Sequence, residues 1–147
     1  MQMTTYFKQN FTVDDNLALK ASGAITASAA VATVLDLGDG FAEGEIIIDV
    51  SAIDIVGNDE IYDIVAQVTN VAAFATDTAI VDRCSMTLAA AEVQRTDANG
   101  DAPTGRFVLP FNNQYNGTIY RYLRLYTVVA GATGSITYSA RLAKRLG

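Results

Sequence analysis

TIYRYLRLYTVVAGATGSITYSARLA (118–143) holds two long runs of β-branched and aromatic residues on either side of a short glycine-bounded turn, GATG (131–134). Side chains along a strand alternate between faces, so each run divides by parity. In the second run Ile136, Tyr138, Ala140 and Leu142 share one face, and Ser135, Thr137, Ser139 and Arg141 the other. In the first, Ile119, Arg121, Leu123 and Leu125 share one face, which is core apart from Arg121 near the strand's beginning. The opposite face is Tyr120, Tyr122, Arg124 and Tyr126, a row of rings with one guanidinium. Two such strands around a short turn predict a β-hairpin.

The same reading extends toward the N-terminus. IYDIVAQVTN (61–70) alternates, with Tyr62, Ile64, Ala66 and Val68 on one face. AVATVLDLG (30–38), GEIIIDVSAIDI (44–55) and RFVLPFNN (106–113) are further strands, the end of the last placed at a sheet edge or bulge by Pro110, which has no N–H for the ladder. AIVDRCSMTLAAAEV (79–93) reads either as a bulged strand or as a strand running into a short helix at LAAAEV. RTDANGDAPTG (95–105) and NNQYNG (112–117) collect turn formers. Seven or eight strands with no long amphipathic helix predict an all-β protein, an antiparallel β-sandwich with jelly-roll topology. Residues 31–147 form the sandwich in this reading, and residues 1–30, which have no strong pattern, form an N-terminal arm or extended segment.

Composition narrows the function classes. The 147 residues carry a net charge of −6, which opposes general affinity for nucleic acid and for an anionic membrane surface. The run at 17–37 holds Lys20 and several Ser and Thr, a poor membrane span. No basic region leads into an apolar run at the N-terminus, which points to synthesis in a reducing cytoplasm. All sixteen acids lie at or before Asp101, whereas six of the ten bases lie after it. Such asymmetry signals either an electrostatic partner or pairing between early and late strands inside the fold.

With no histidine and a single cysteine, Cys84, the usual triads and zinc sites are missing, so no enzyme is expected. DLGDG (36–40) and DANGDAPTG (97–105) resemble fragments of a calcium loop. The second has Ala102 where that loop needs glycine and Val108 where its bidentate Glu falls, so both are read as turns and no metal or cofactor is expected. Tyr and Arg are enriched where proteins meet, which makes Tyr120, Tyr122, Arg124 and Tyr126 the candidate protein–protein interface. Two other readings of that face stand beside it: a cover formed by the chain's own N-terminal arm, and a nucleic-acid stacking platform.

ITASAAVATVLDLG (25–38), RFVLPFNN (106–113) and RYLRLYTVVAGATGSITYSARL (121–142), in that order, resemble the small jelly-roll capsid cement (decoration) proteins of tailed bacteriophages, of the Bordetella-phage type. The resemblance covers most of residues 17–143 and is strongest in the last third. It implies a structural protein of the virion, made in the host bacterial cytoplasm. Such a protein binds as a homotrimer to the major capsid protein on the outer capsid surface and bridges neighbouring capsomers. The alternative is a β-sandwich binding module of the carbohydrate-binding type, with Tyr120, Tyr122 and Tyr126 as platforms beside Asn112, Asn113 and Asn116.

Overall fold

The computed structural model describes residues 11–12, 17–94 and 100–145. The chain folds as an antiparallel β-sandwich. Its strands are β1 (Phe11–Thr12), β2 (Ala18–Ile25), β3 (Ala29–Ala30), β4 (Leu35–Asp36), β5 (Glu43–Ile53) and β6 (Ile61–Thr69). They continue with β7 (Val81–Ala89), β8 (Gly105–Asn112), β9 (Gln114–Tyr115), β10 (Thr118–Ile119), β11 (Tyr122–Ala130) and β12 (Ile136–Arg145). One sheet runs β1-β12-β5-β8, with β2 following β1 along the same side of β12. The other runs β3-β11-β6-β7, with β4 also on β11. A separate ribbon pairs β9 with β10 through Asn116 and Gly117, both at positive φ as a tight two-residue hairpin turn requires.

Parity places the core as expected, except that Ile119 is exposed. Tyr62, Ile64, Ala66, Val68, Leu123, Leu125, Ile136, Tyr138, Ala140 and Leu142 are all buried, and meet Ile46, Ile48 and Val50 of β5. Burying one such large side chain contributes about 1.5–3 kcal/mol, so this inner layer dominates the stability. Pro110 sits on β8, an edge strand, opposite Glu45. Both readings of 79–93 hold. The β6–β7 register shifts at Ala66/Gln67, and β7 then runs into a helical turn, α1 (Ala91–Gln94).

The expected hairpin is not formed. β11 and β12 belong to different sheets, and the GATG segment crosses from one to the other. Both sides of each strand are already taken, β11 by β6 and β3/β4, β12 by β5 and β1/β2. Their inward faces meet instead across the core, where Thr127 Oγ1 and the Tyr138 hydroxyl share a hydrogen bond of 2.7 Å. The crossing is fixed by Tyr62, whose hydroxyl donates to the Asp54 carbonyl and accepts from the Ser135 N–H at 2.9 Å. Alternation and a glycine turn look the same whether two strands pair edge to edge or face each other.

Two further expectations shift. The run at 30–38 is an interrupted edge, two short pairings with β11 rather than one strand. Within the segment expected as an N-terminal arm, Ala18–Ile25 is a full strand on β12 and Ala29–Ala30 pairs with β11, while residues 1–10 and 13–16 lie outside the described residues. Lys20 fastens β2 at the bulge in its pairing with β12. Its ammonium donates to the carbonyls of Ala21, Gly23 and Tyr138 at 3.0, 2.8 and 2.9 Å and lies 4.6 Å from the centre of the Tyr138 ring.

Candidate functional site

The outer face of β11 carries Tyr122, Arg124 and Tyr126, all half-buried, with Leu123 and Leu125 directed into the core between them. Tyr122 stands opposite Thr69, Arg124 opposite Gln67 and Tyr126 opposite Val65 on β6. Tyr120 does not join this row. The strand begins only at Tyr122, because Thr118 and Ile119 pair away with β9, and Tyr120 packs against the core instead. The strand expected to start at Thr118 starts four residues later.

Asn113 holds this junction. It is fully buried, and its Oδ1 accepts the Ala42 N–H at 2.7 Å. Its Nδ2 donates to the carbonyls of Gly40 at 3.0 Å and Tyr120 at 2.8 Å. Three stretches of chain are thus tied through one amide, and nothing in the sequence separates Asn113 from its neighbour Asn112.

Among the described residues the chain itself covers the row in part, at Arg124, while residues 1–10 and 13–16 of the segment expected to cover it lie outside them. The β6–β7 connection, residues 70–80, contains two 3₁₀ turns, Ala72–Phe74 and Asp77–Ala79. Phe74 is only 5% exposed, and the Arg124 guanidinium lies 4.3 Å from the centre of its ring, within cation–π range. Arg124 Nε also donates to Gln67 Oε1 at 2.9 Å, which fixes the guanidinium in place. Thr69, outward by parity, is nonetheless fully buried, and its Oγ1 accepts the Val71 N–H at 3.1 Å.

Beside the row, Arg121 is exposed and holds two carboxylates. Nε and Nη2 grip Asp36 at 2.7 and 2.8 Å, Nη1 reaches Asp39 at 2.9 Å, and the guanidinium lies 5.5 Å from the centre of the Tyr122 ring. Arg106 and Arg141 both reach Asp49, on the outer face of the other sheet. Each of these pairs joins a base after Asp101 to an acid before it, so late strands neutralise early ones within the fold.

The Arg121 side chain, helped by the Gly38 N–H, holds the Asp36 carboxyl at about 2. Arg106 likewise lowers Asp49. A carboxyl depressed on folding stabilises the native state above its unfolded value and loses that contribution as pH falls through the folded value. Stability should therefore drop between roughly pH 4 and pH 2, since the unfolded reference lies near 3.9. Asp36→Asn should flatten part of that drop in acid-titrated thermal melts; an unchanged profile would rule the pair out as its source.

A second feature is a cleft of about 260 Å³ between the ends of β5 and β8 and the edge of β7. It is lined by Glu43, Arg83, Cys84, Pro110 and Phe111 among others, and Arg83 Nη2 donates to Asn112 Oδ1 at 2.7 Å. Burial pushes the Cys84 thiol up to about 11, which leaves it a poor nucleophile at neutral pH. Among the described residues no group of three or more metal-binding side chains is placed to hold an ion. No described helix is long and apolar enough to cross a membrane.

Fold and site together define an antiparallel β-sandwich with a half-covered aromatic–arginine face. No protein-family model and no curated protein sequence matches the chain.

Proposed function

We propose that the protein is a non-enzymatic structural component of a bacteriophage virion, a cement protein that binds as a trimer on the outer capsid surface. The observation that carries this reading is the order of the strands. Setting aside the two-residue strands β1, β9 and β10 and counting β3 and β4 as one interrupted strand gives eight, with sheet orders β2-β12-β5-β8 and β3/β4-β11-β6-β7. That arrangement supports a jelly roll, a double sheet built from two Greek keys. It agrees with the resemblance of residues 17–143 to phage cement proteins.

The surface is compatible with the role. Among the described residues β7 and β8 are unpaired on one side, as are β3 and β4, and neighbouring subunits can cover such edges. Tyr122, Arg124 and Tyr126 supply the residue types on which protein interfaces depend. A carbohydrate platform is less well supported, because Asn113 and Tyr120 are committed to internal contacts and Asn112 Oδ1 accepts from Arg83 and from the Gln114 N–H.

The test is the mass in solution together with binding to purified expanded capsid shells. A trimer that binds such shells is expected. A strict monomer with no shell binding would sink the proposal. Tyr122→Ser and Tyr126→Ser should each weaken shell binding by about tenfold or more, the size typical of an aromatic anchor. The thermal melt should move little, since both side chains lie on the outer face.

A further inference from the structure

Phe74 is the one large apolar side chain of the β6–β7 connection that is buried, yet it stands outside the core cluster. Around it Ala72, Ala73, Ala75, Thr76, Asp77 and Thr78 are exposed, so beyond Asn70, whose side chain bonds the Ile119 carbonyl and the Arg121 N–H, this ring is the main anchor of the connection. The backbone that delivers this ring is strained. Ala73 and Phe74 both adopt left-handed conformations, φ 58° and 53°, which residues with a Cβ rarely enter and which cost energy at each position. No turn chemistry at these two residues calls for that geometry; neither is Gly, Asn or Asp. The strain is held by what the ring meets, the Arg124 guanidinium at 4.3 Å.

We propose that residues 71–80 form a hinged cover, and that the ground under Phe74, where the Arg124 guanidinium lies 4.3 Å from the ring centre, is a docking site for an aromatic side chain of a partner protein. Phe74 is the occupant in cis and shows what the site accepts: a phenyl ring beneath a guanidinium that Gln67 already holds in place. A partner's aromatic residue replaces Phe74 at no cost in contacts, while the cover relaxes from its left-handed backbone. This rests on the reading of the Tyr122–Tyr126 face as the interface of a cement protein and supplies its mechanism: the face stays shut until a shell protein presents the ring that opens it.

Two measurements test the cover without any shell. In native-state hydrogen exchange of the unmodified protein, the Val71 and Phe74 amides, bonded to Thr69 Oγ1 and the Val71 carbonyl, should exchange through local opening. Their protection should fall at least about a hundredfold below that of β6 and β11. Exchange only through global unfolding overturns the proposal. The second uses N-acetyl-L-phenylalanine amide as probe on Phe74→Ala, observed by NMR at the Arg124 Nε and the Tyr122 ring. The shifts should appear at a concentration at least about tenfold lower than in the unmodified protein, because a site closed most of the time binds with an affinity reduced by its open fraction. No shift in Phe74→Ala, or equal concentrations in both, overturns it.

Expanded shells then separate this inference from the function it rests on. Phe74→Ala should load about tenfold faster, and the Val71 and Phe74 amides of bound, unmodified protein should lose protection. Shell binding with the cover still closed refutes the docking site but leaves the cement function standing. If neither protein binds shells, the function falls, and the probe titration alone decides the site.

Discussion

Gly131→Ala should destabilise the protein by about 3 kcal/mol, the sum of a left-handed backbone penalty and an overpacked contact. Gly131 starts the crossing between sheets with φ +107°, and a Cβ there would sit 2.9 Å from the Glu60 Cα and 3.2 Å from the Asp59 carbonyl oxygen. Both are backbone atoms, so no side chain can swing away. Gly38→Ala is the control. It also has positive φ, +79°, but nothing lies within 4 Å, so it should cost only about 1 kcal/mol of backbone strain. Urea melts of the two variants measure the difference. Equal losses would mean that the approach of Gly131 to Glu60 contributes nothing.

Asn113→Ala should cost about 3 kcal/mol or more. The substitution removes three hydrogen bonds and strands the Gly40 and Tyr120 carbonyls and the Ala42 N–H, each at about 1–3 kcal/mol where water cannot reach. Asn112→Ala serves as comparison: its Oδ1 accepts from Arg83 and from the Gln114 N–H, but its side chain is only half-buried. Its loss should be near 1 kcal/mol, the ordinary net worth of a hydrogen bond. A melt in which both variants lose the same amount would show that the amide of Asn113 does not hold the junction.

Strand parity carried most of the fold, because a half-buried strand writes its burial directly into alternate residues. Leu123, Leu125, Tyr138 and Leu142 fell on the core faces that their spacing assigned. What parity does not encode is which strand lies beside which. The turn at 131–134 was legible as a turn, but Gly131 serves a close approach to Glu60, a contact between positions distant in sequence, and Gly134 one to Val129 at the end of β11.

The candidate site divides in the same way. Tyr122, Arg124 and Tyr126 share a face because they alternate within one strand. Tyr120 left the row because the chain turns before it, where Asn113 ties down its carbonyl. The cover over that face was invisible, since AAFATDTA (72–79) has neither periodicity nor turn formers at its two left-handed residues. The early–late division of charge was readable in advance. That Arg106, Arg121 and Arg141 spend it inside the fold needed the pairing of β5 with β8 and β12, and of β11 with β4.

Placing β11 and β12 at the centre of the two sheets also sets the order of events on the ribosome. Until residues 122–145 emerge, β5 has only β8 and β6 only β7, and two-stranded pairs are marginal in water. Their apolar inner faces stay uncovered throughout that interval, the condition under which nascent β-proteins aggregate. The emerging chain meanwhile carries all sixteen acids against four bases up to Asp101, a strongly anionic segment whose self-repulsion keeps molecules apart. The arginine-bearing strands that complete each sheet then cancel much of that repulsion at the moment the core closes. The lopsided charge works as a solubility tag for the unfinished chain, and the basic residues after Asp101 halve it as the fold is completed.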